Sequence, residues 1–124
     1  MNFLLVGVGG ALGAIIRYAL TLLFPYSPGT GFPWAILISN VIGAGAIGFL
    51  SVILLYRFES SELLRLFLMV GLLGGFTTFS SFTLDTLYFL QNAYWLKAMA
   101  NIIVSIVVCL IACYLGIKIA DTLV

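Results

Sequence analysis

The residues best suited to ion chemistry lie at positions 71–85, with the sequence GLLGGFTTFSSFTLD. The pair Gly74 and Gly75 precedes a run of hydroxyl side chains that starts at Thr77 and Thr78. A glycine pair followed by two threonines can open a helix, because glycine tolerates non-helical backbone best. The surrounding span is apolar, where irregular backbone survives only if it packs in protein or lines a wet cavity. The stretch therefore predicts a transmembrane helix that is broken near residues 74–78, with carbonyl and hydroxyl groups that handle an ion.

The composition predicts that lipid surrounds most of the chain. Of 124 residues, 64% are hydrophobic and only 7% are charged, and the mean hydropathy is +1.28. A soluble domain of this length could not cover so much apolar surface, so we expect an all-α protein of the lipid bilayer. With Lys+Arg 5 and Asp+Glu 4 there is no basic patch, and nucleic acid is not an expected partner. The absence of histidine and of a convincing nucleophile–base pair argues against an enzyme.

Hydropathy predicts four transmembrane helices, at residues 3–24, 35–56, 66–90 and 98–120. Each is near the ~20 residues that a bilayer requires. The spans use up the chain, so we expect a single four-helix membrane domain over residues 1–124.

The charges at the helix ends predict no strong preference for either orientation. An even number of spans puts both termini on one side, together with Arg57, Arg65 and Lys118. The opposite side holds Arg17 and Lys97. Three basic residues against two give almost no bias under the positive-inside rule. A chain of this kind can insert either way up, which favours an antiparallel dimer of two copies.

Polar residues also occur at regular spacing on the fourth span. Asn101, Ser105, Cys109 and Cys113 follow one another at intervals of four residues. This spacing puts them on one helical face. Because both cysteines lie in one apolar span, we expect reduced thiols and no disulfide.

Three motifs give the chain, over its whole length, a resemblance to the Fluc/CrcB fluoride channels. They are GVGGALGAIIRY at residues 7–18, LISNVIGAGAIG at residues 37–48 and the stretch at residues 71–85. The third is the most specific, because TTFS and SF after a double glycine rarely occur by chance. The resemblance implies a passive channel that exports cytoplasmic fluoride and confers fluoride resistance. It also implies a multi-pass protein of the plasma (inner) membrane of a microbe, working as an antiparallel dual-topology dimer around one sodium ion.

The resemblance assigns roles to individual residues. The backbone carbonyls of Gly74 and Thr77 match those that bind the sodium ion in the family. Arg17 matches the arginine that draws anions toward the entrance. The remaining matches and neighbouring donors form the predicted fluoride pore: Asn40, Thr78, Phe79, Ser80, Ser81, Phe82, Cys109 and Cys113.

Several of these residues also fit a purely structural role. Phenylalanines at this spacing commonly pack, and Asn40 could only join two helices. The Arg17 side chain could extend to the interface. The hydroxyls of Ser80 and Ser81 could bond to carbonyls one turn back.

Departures from the family pattern keep two alternatives open. Ile36 stands where the family has threonine, Cys109 and Cys113 replace a serine and a threonine, and Asp85 replaces a glutamate. These changes touch the pore lining, so the chain could be one subunit of a paired, heterodimeric fluoride channel. The other alternative is a small proton-coupled transporter of the multidrug-resistance type. Such transporters depend on a glutamate in the first helix, where this chain has no acid.

Overall fold

A computed structural model describes residues 1–57 and 61–124 of the chain. Throughout these residues the regular structure is helical, without strands. In this described part of the chain, four helical spans, the third of them interrupted, are long and apolar enough to cross a membrane. The predicted all-α fold with four spans is thereby confirmed.

Three of the spans are uninterrupted helices: α1 (Asn2–Leu23), α2 (Trp34–Tyr56) and α5 (Trp95–Asp121). Helix α5 includes Trp95 and Lys97, which precede the predicted fourth span of residues 98–120. A tight turn at residues 92–94 makes this possible, with Ala93 at a φ of 58°. The short turn brings the third and fourth spans together as antiparallel neighbours.

The third span is interrupted near its midpoint. Its first part, α3 (residues 62–76), contains a π-helical stretch, Arg65–Leu73, between two single turns of α-helix. Thr77 and Thr78 are extended, with φ/ψ of −84°/158° and −153°/123°. Helix α4 (Phe79–Gln91) then completes the span. The interruption falls inside residues 74–78, where the sequence predicts it, whereas the π-helical stretch has no signal in the sequence.

Small residues let the helices pack in two close pairs, α1 with α3 and α2 with α5. A Cβ atom on Gly13 would collide with the carbonyl oxygen of Leu72, and one on Gly48 with that of Cys113. Backbones in direct contact of this kind are typical of helix association in lipid. The two pairs meet at the interruption of the third span, which places α2 beside Thr77 and Thr78.

Candidate functional site

The interruption frees backbone carbonyls from their helical donors, and those of Gly74 and Thr77 are among them. In a continuous helix the Thr78 N–H would bond to the Gly74 carbonyl, but here it bonds to Asn40 Oδ1 at 2.8 Å. The Ser81 N–H would likewise bond to the Thr77 carbonyl, but it donates to Thr78 Oγ1 at 3.2 Å. Both carbonyls for which the resemblance implies a sodium ion, those of Gly74 and Thr77, are therefore among those that lose their helical donors.

Asn40 connects α2 to the extended residues. Besides accepting the Thr78 N–H, its side chain donates from Nδ2 to the Thr78 carbonyl at 3.0 Å. This pairing fixes the orientation of the amide, because the opposite orientation would set oxygen against oxygen. The amide nitrogen carries two N–H groups, so one of them remains after the bond to Thr78.

Arg17 forms a hydrogen bond with the carbonyl that follows that of Gly74 in the sequence. Its Nε donates to the Gly75 carbonyl at 3.1 Å, the group that a continuous helix would pair with the Phe79 N–H. The guanidinium charge therefore lies at the interruption, close to the N-terminus of α4. A helix N-terminus carries partial positive charge, so two positive features meet at this point.

A cavity of about 280 Å³ lies beside the interruption, and we call it the break cavity. It gathers five of the eight residues that the sequence places in the pore. Those five are Asn40, Thr78, Phe79, Phe82 and Cys109. The remaining wall comes from Thr77, Ser105 and Ile106.

The two phenylalanines of the break cavity lie on neighbouring turns of α4. Their ring centroids are 5.4 Å apart and their planes are tilted by 41°. Phe79 is 78% exposed, so most of its surface is available to another molecule. Aromatic rings carry partial positive charge along their edges, which suits contact with an anion.

The other three predicted pore residues lie outside this cavity. Ser80 is exposed, with its hydroxyl 3.1 Å from that of Thr78. Ser81 lines a different cavity. Cys113 packs toward α2, where its Sγ lies 3.1 Å from the position of a Cβ on Gly48.

The sequence analysis does not place Ser105 in the pore, although the residue lines the break cavity. The available signal is its position four residues before Cys109, on the same face of α5. Ile106 also lines the cavity, and its apolar side chain gives no signal in the sequence.

A hydrogen-bond chain ties α4 to α5 behind the break cavity. Asn101 Nδ2 donates to Thr86 Oγ1 at 2.9 Å, and Thr86 Oγ1 donates to the Phe82 carbonyl at 2.7 Å. Asn101 is 2% exposed and Thr86 7% exposed, so both bonds are shielded from competing water. These two hydrogen bonds fix the position of the turn that carries Phe82 relative to α5.

The freed backbone carbonyls are candidate ligands for a cation near the interruption. Within residues 1–57 and 61–124, there is no group of three or more His, Cys, Asp or Glu side chains that could hold a metal ion. A further cavity of about 280 Å³ adjoins Gly74 and shares Asn40, Thr77 and Cys109 with the break cavity. Hard cations such as Na⁺ prefer oxygen ligands, and the Gly74 and Thr77 carbonyls supply two.

Comparison with known proteins places this arrangement in a family. The family model for CrcB-like protein, Camphor Resistance (CrcB), matches residues 4–117. The Fluoride-specific ion channel FluC of Legionella pneumophila is 41% identical over 118 residues, which are 95% of this chain and 88% of the relative. The protein of the same name from Rhizobium meliloti is 37% identical over 99% of this chain and 98% of its own length. A third FluC, from Opitutus terrae, is 44% identical over 92% of this chain and 88% of its own. The chain belongs to the CrcB family.

Proposed function

We propose that this chain forms a passive channel through which fluoride leaves the cell down its electrochemical gradient. The observation that carries the proposal is the break cavity, where hydrogen-bond donors and two phenyl rings gather midway along an interrupted membrane helix. The three relatives described above are each named a fluoride-specific ion channel. This assignment makes the chain an ion channel and not an enzyme.

Fluoride is small and strongly hydrated, so a pore must replace its water with donors. In the break cavity the replacements are the second N–H of Asn40, the Ser105 hydroxyl and the ring edges of Phe79 and Phe82. The free N–H groups in the first turn of α4 and the Arg17 charge add a field that favours an anion.

The membrane potential supplies the driving force for export. Neutral hydrogen fluoride crosses lipid, ionises in a less acidic cytoplasm and is trapped there as fluoride. An inside-negative potential drives an anion outward by ~2.3 kcal/mol per 100 mV. A selective pore in the plasma (inner) membrane of a microbe therefore confers fluoride resistance without a pump.

We further propose that two copies assemble in inverted orientation around one sodium ion. The near-even balance of basic residues allows both orientations, and Gly74 and Phe79 are exposed on the single chain. The Gly74 and Thr77 carbonyls of one chain are two of those freed at the interruption, so two chains related by a two-fold axis offer four such oxygens. When bound, a sodium ion supplies the positive charge that holds these carbonyl dipoles together across the interface.

The direct test is fluoride efflux from liposomes that contain only this purified chain, followed with a fluoride electrode. Valinomycin and a potassium gradient set the potential, and chloride-loaded liposomes serve as the control. We expect fast loss of fluoride without loss of chloride. Phe79→Ile and Phe82→Ile should each slow efflux by roughly an order of magnitude, equivalent to about 1.4 kcal/mol. Phe3→Ile is the matched control, because Phe3 is 95% exposed at the start of α1.

Other outcomes separate the alternatives. Equal loss of chloride and fluoride contradicts a selective pore. Efflux that appears only after a homologous chain is added supports a paired heterodimer. Transport that requires an opposing proton gradient supports a proton-coupled transporter. No transport in any of these assays, from folded protein, contradicts the channel assignment.

A further inference from the structure

A second cavity, of about 300 Å³, lies between the α1–α2 loop and the first turns of α4, and we call it the loop cavity. Four of the side chains that line it carry oxygen: Thr21, Tyr26, Ser81 and Asp85. The rest of its wall is apolar. The mechanism derived from the break cavity makes no use of this group of oxygens.

Tyr26 brings a polar atom without a partner to the loop cavity. Its hydroxyl oxygen is buried and forms no hydrogen bond with any residue in the described part of the chain. A buried hydroxyl without a partner destabilises the fold, so a ligand that accepts its hydrogen bond would remove that penalty. Burial, with a smaller effect of the negative charge of Asp85 and then of Tyr88, raises the pKa of Tyr26 to about 12. The phenol therefore keeps its proton near neutral pH and acts as a donor.

The loop cavity and the break cavity are separated by one pair of hydroxyl residues. Thr78 lines the break cavity and Ser81 lines the loop cavity. Thr78 Oγ1 donates to Ser81 Oγ at 3.3 Å and accepts the Ser81 N–H at 3.2 Å. An anion that leaves the break cavity past Thr78 would next contact the hydroxyl group of Ser81.

The hydrogen bonds around the loop cavity determine which groups can donate to an anion. Thr21 Oγ1 already donates to the Tyr18 carbonyl at 2.6 Å, so it can only accept. Ser81 Oγ accepts from Thr78, so its own proton remains available. The donors that face the loop cavity are therefore the hydroxyls of Ser81 and Tyr26.

Asp85 opposes the binding of an anion in the loop cavity. Its carboxylate repels an anion held by the two hydroxyls, and this repulsion weakens the binding. Conduction requires sites that bind an ion strongly enough to admit it and weakly enough to release it. Two donors opposed by one carboxylate meet that requirement better than donors alone.

We propose that the loop cavity is a second fluoride-binding site and that the Tyr26 hydroxyl donates a hydrogen bond to the ion there. This inference rests on the proposed fluoride channel, and it extends the path from the break cavity past Ser81. The hydroxyl takes the place of one water molecule that fluoride has lost.

The experiment compares Tyr26→Phe with the wild-type chain in the liposome assay. The substitution removes one oxygen atom and keeps the ring, so we expect efflux to fall about tenfold while Tm stays the same or rises. Tyr56→Phe is the matched control, because Tyr56 is 67% exposed at the other end of α2. Wild-type rates from Tyr26→Phe, in a preparation whose wild type conducts, overturn the inference and leave the channel intact. A wild-type chain that conducts neither alone nor with a homologous chain contradicts the channel itself.

A second substitution covers the case in which Tyr26→Phe does not fold. A ring-fluorinated tyrosine at position 26 keeps the shape of the side chain and strengthens its O–H as a donor. We then expect half-maximal efflux at a lower fluoride concentration, at unchanged Tm. No shift in that concentration would overturn the role of Tyr26 as a donor, because a purely structural tyrosine does not respond to donor strength.

Discussion

Asn40 binds both backbone polar groups of Thr78, accepting its N–H at 2.8 Å and donating to its carbonyl at 3.0 Å. The two residues are on different spans, and the pair takes the place of the helical bond between the Thr78 N–H and the Gly74 carbonyl. The Asn40 side chain thereby keeps the third span interrupted at Thr78. Without the Asn40 side chain, the most favourable acceptor for the Thr78 N–H is the Gly74 carbonyl, one turn back. That bond would make the helix continuous.

Replacing Asn40 with leucine should therefore affect both stability and conduction. Two hydrogen bonds of about 1 kcal/mol each are lost, so we expect the free energy of unfolding to fall by roughly 2 kcal/mol and efflux to stop. Thermal unfolding in detergent and the liposome assay measure the two effects. Asn92→Ala is the control, because it removes a single exposed bond to the Tyr88 carbonyl. If Asn40→Leu matches the wild type in both assays, the pair does not keep the span open.

The contrast between Cys109 and Cys113 marks how far sequence reasoning reaches. Hydropathy is enough to predict the four spans, and the glycine pair before Thr77 and Thr78 is enough to predict the break. A four-residue spacing places both cysteines on one face of α5, but only Cys109 lines the break cavity. At Cys113 the backbone of α2 at Gly48 lies so close that the thiol packs against it. The distance between two helices decides this point, and no local pattern encodes that distance.

The partners of Asn40 and Arg17 are a second limit of sequence reasoning. Both residues stand out in the sequence as polar groups in apolar spans, so a functional role is a natural prediction. Their acceptors lie 38 and 58 residues away along the chain. That each bonds to a backbone carbonyl at the same interruption follows only from the packing of α1 and α2 against it.

Arg17 should act mainly through its charge. Arg17→Lys keeps the charge and loses the fixed Nε geometry, whereas Arg17→Gln keeps a donor and loses the charge. We expect lysine to retain most of the efflux rate and glutamine to lower it several-fold, with a smaller difference at high ionic strength. Arg57→Gln is the control, because its exposed side chain bonds to the Leu123 carbonyl far from the break. Equal losses in the two Arg17 variants would show that the bond to Gly75 matters more than the charge.

Gly43 should tolerate no side chain, because Thr77 lies directly against it. A Cβ atom on Gly43 would overlap Thr77 Cγ2, and the Thr77 side chain is held by its hydroxyl, which donates to the Leu73 carbonyl at 2.9 Å. Gly43→Ala must therefore displace Thr77 or break that bond. We expect a loss of about 1–3 kcal/mol in the free energy of unfolding and a matching loss of efflux.

Gly7→Ala is the control for Gly43→Ala. A Cβ atom on Gly7 meets nothing within 4 Å, and alanine favours helix over glycine by up to ~1 kcal/mol. We expect Gly7→Ala to conduct normally, at equal or higher stability. Equal behaviour of the two variants in thermal unfolding would contradict the tight contact at Thr77.

Removing sodium tests the role of the Gly74 and Thr77 carbonyls. A ligand that binds only the folded dimer stabilises it by RT ln(1 + [L]/Kd). Each tenfold increase in sodium above Kd should therefore add about 1.4 kcal/mol to the stability of the dimer. Protein purified and assayed with a large organic cation in place of sodium should have a lower Tm and dissociate into single chains. Efflux should fall with it, because we propose the dimer as the conducting form.

Gly43→Ala makes this sodium experiment specific to the carbonyl site. A displaced Thr77 can no longer present its carbonyl beside that of Gly74, so the variant should have a weaker dependence of Tm on sodium than Gly7→Ala. Sodium effects that arise from general screening would be the same in both variants, because neither substitution changes a charge. A Tm that does not vary with sodium in the wild-type chain would mean that the freed carbonyls bind no sodium, and the dimer would then need another source of cohesion.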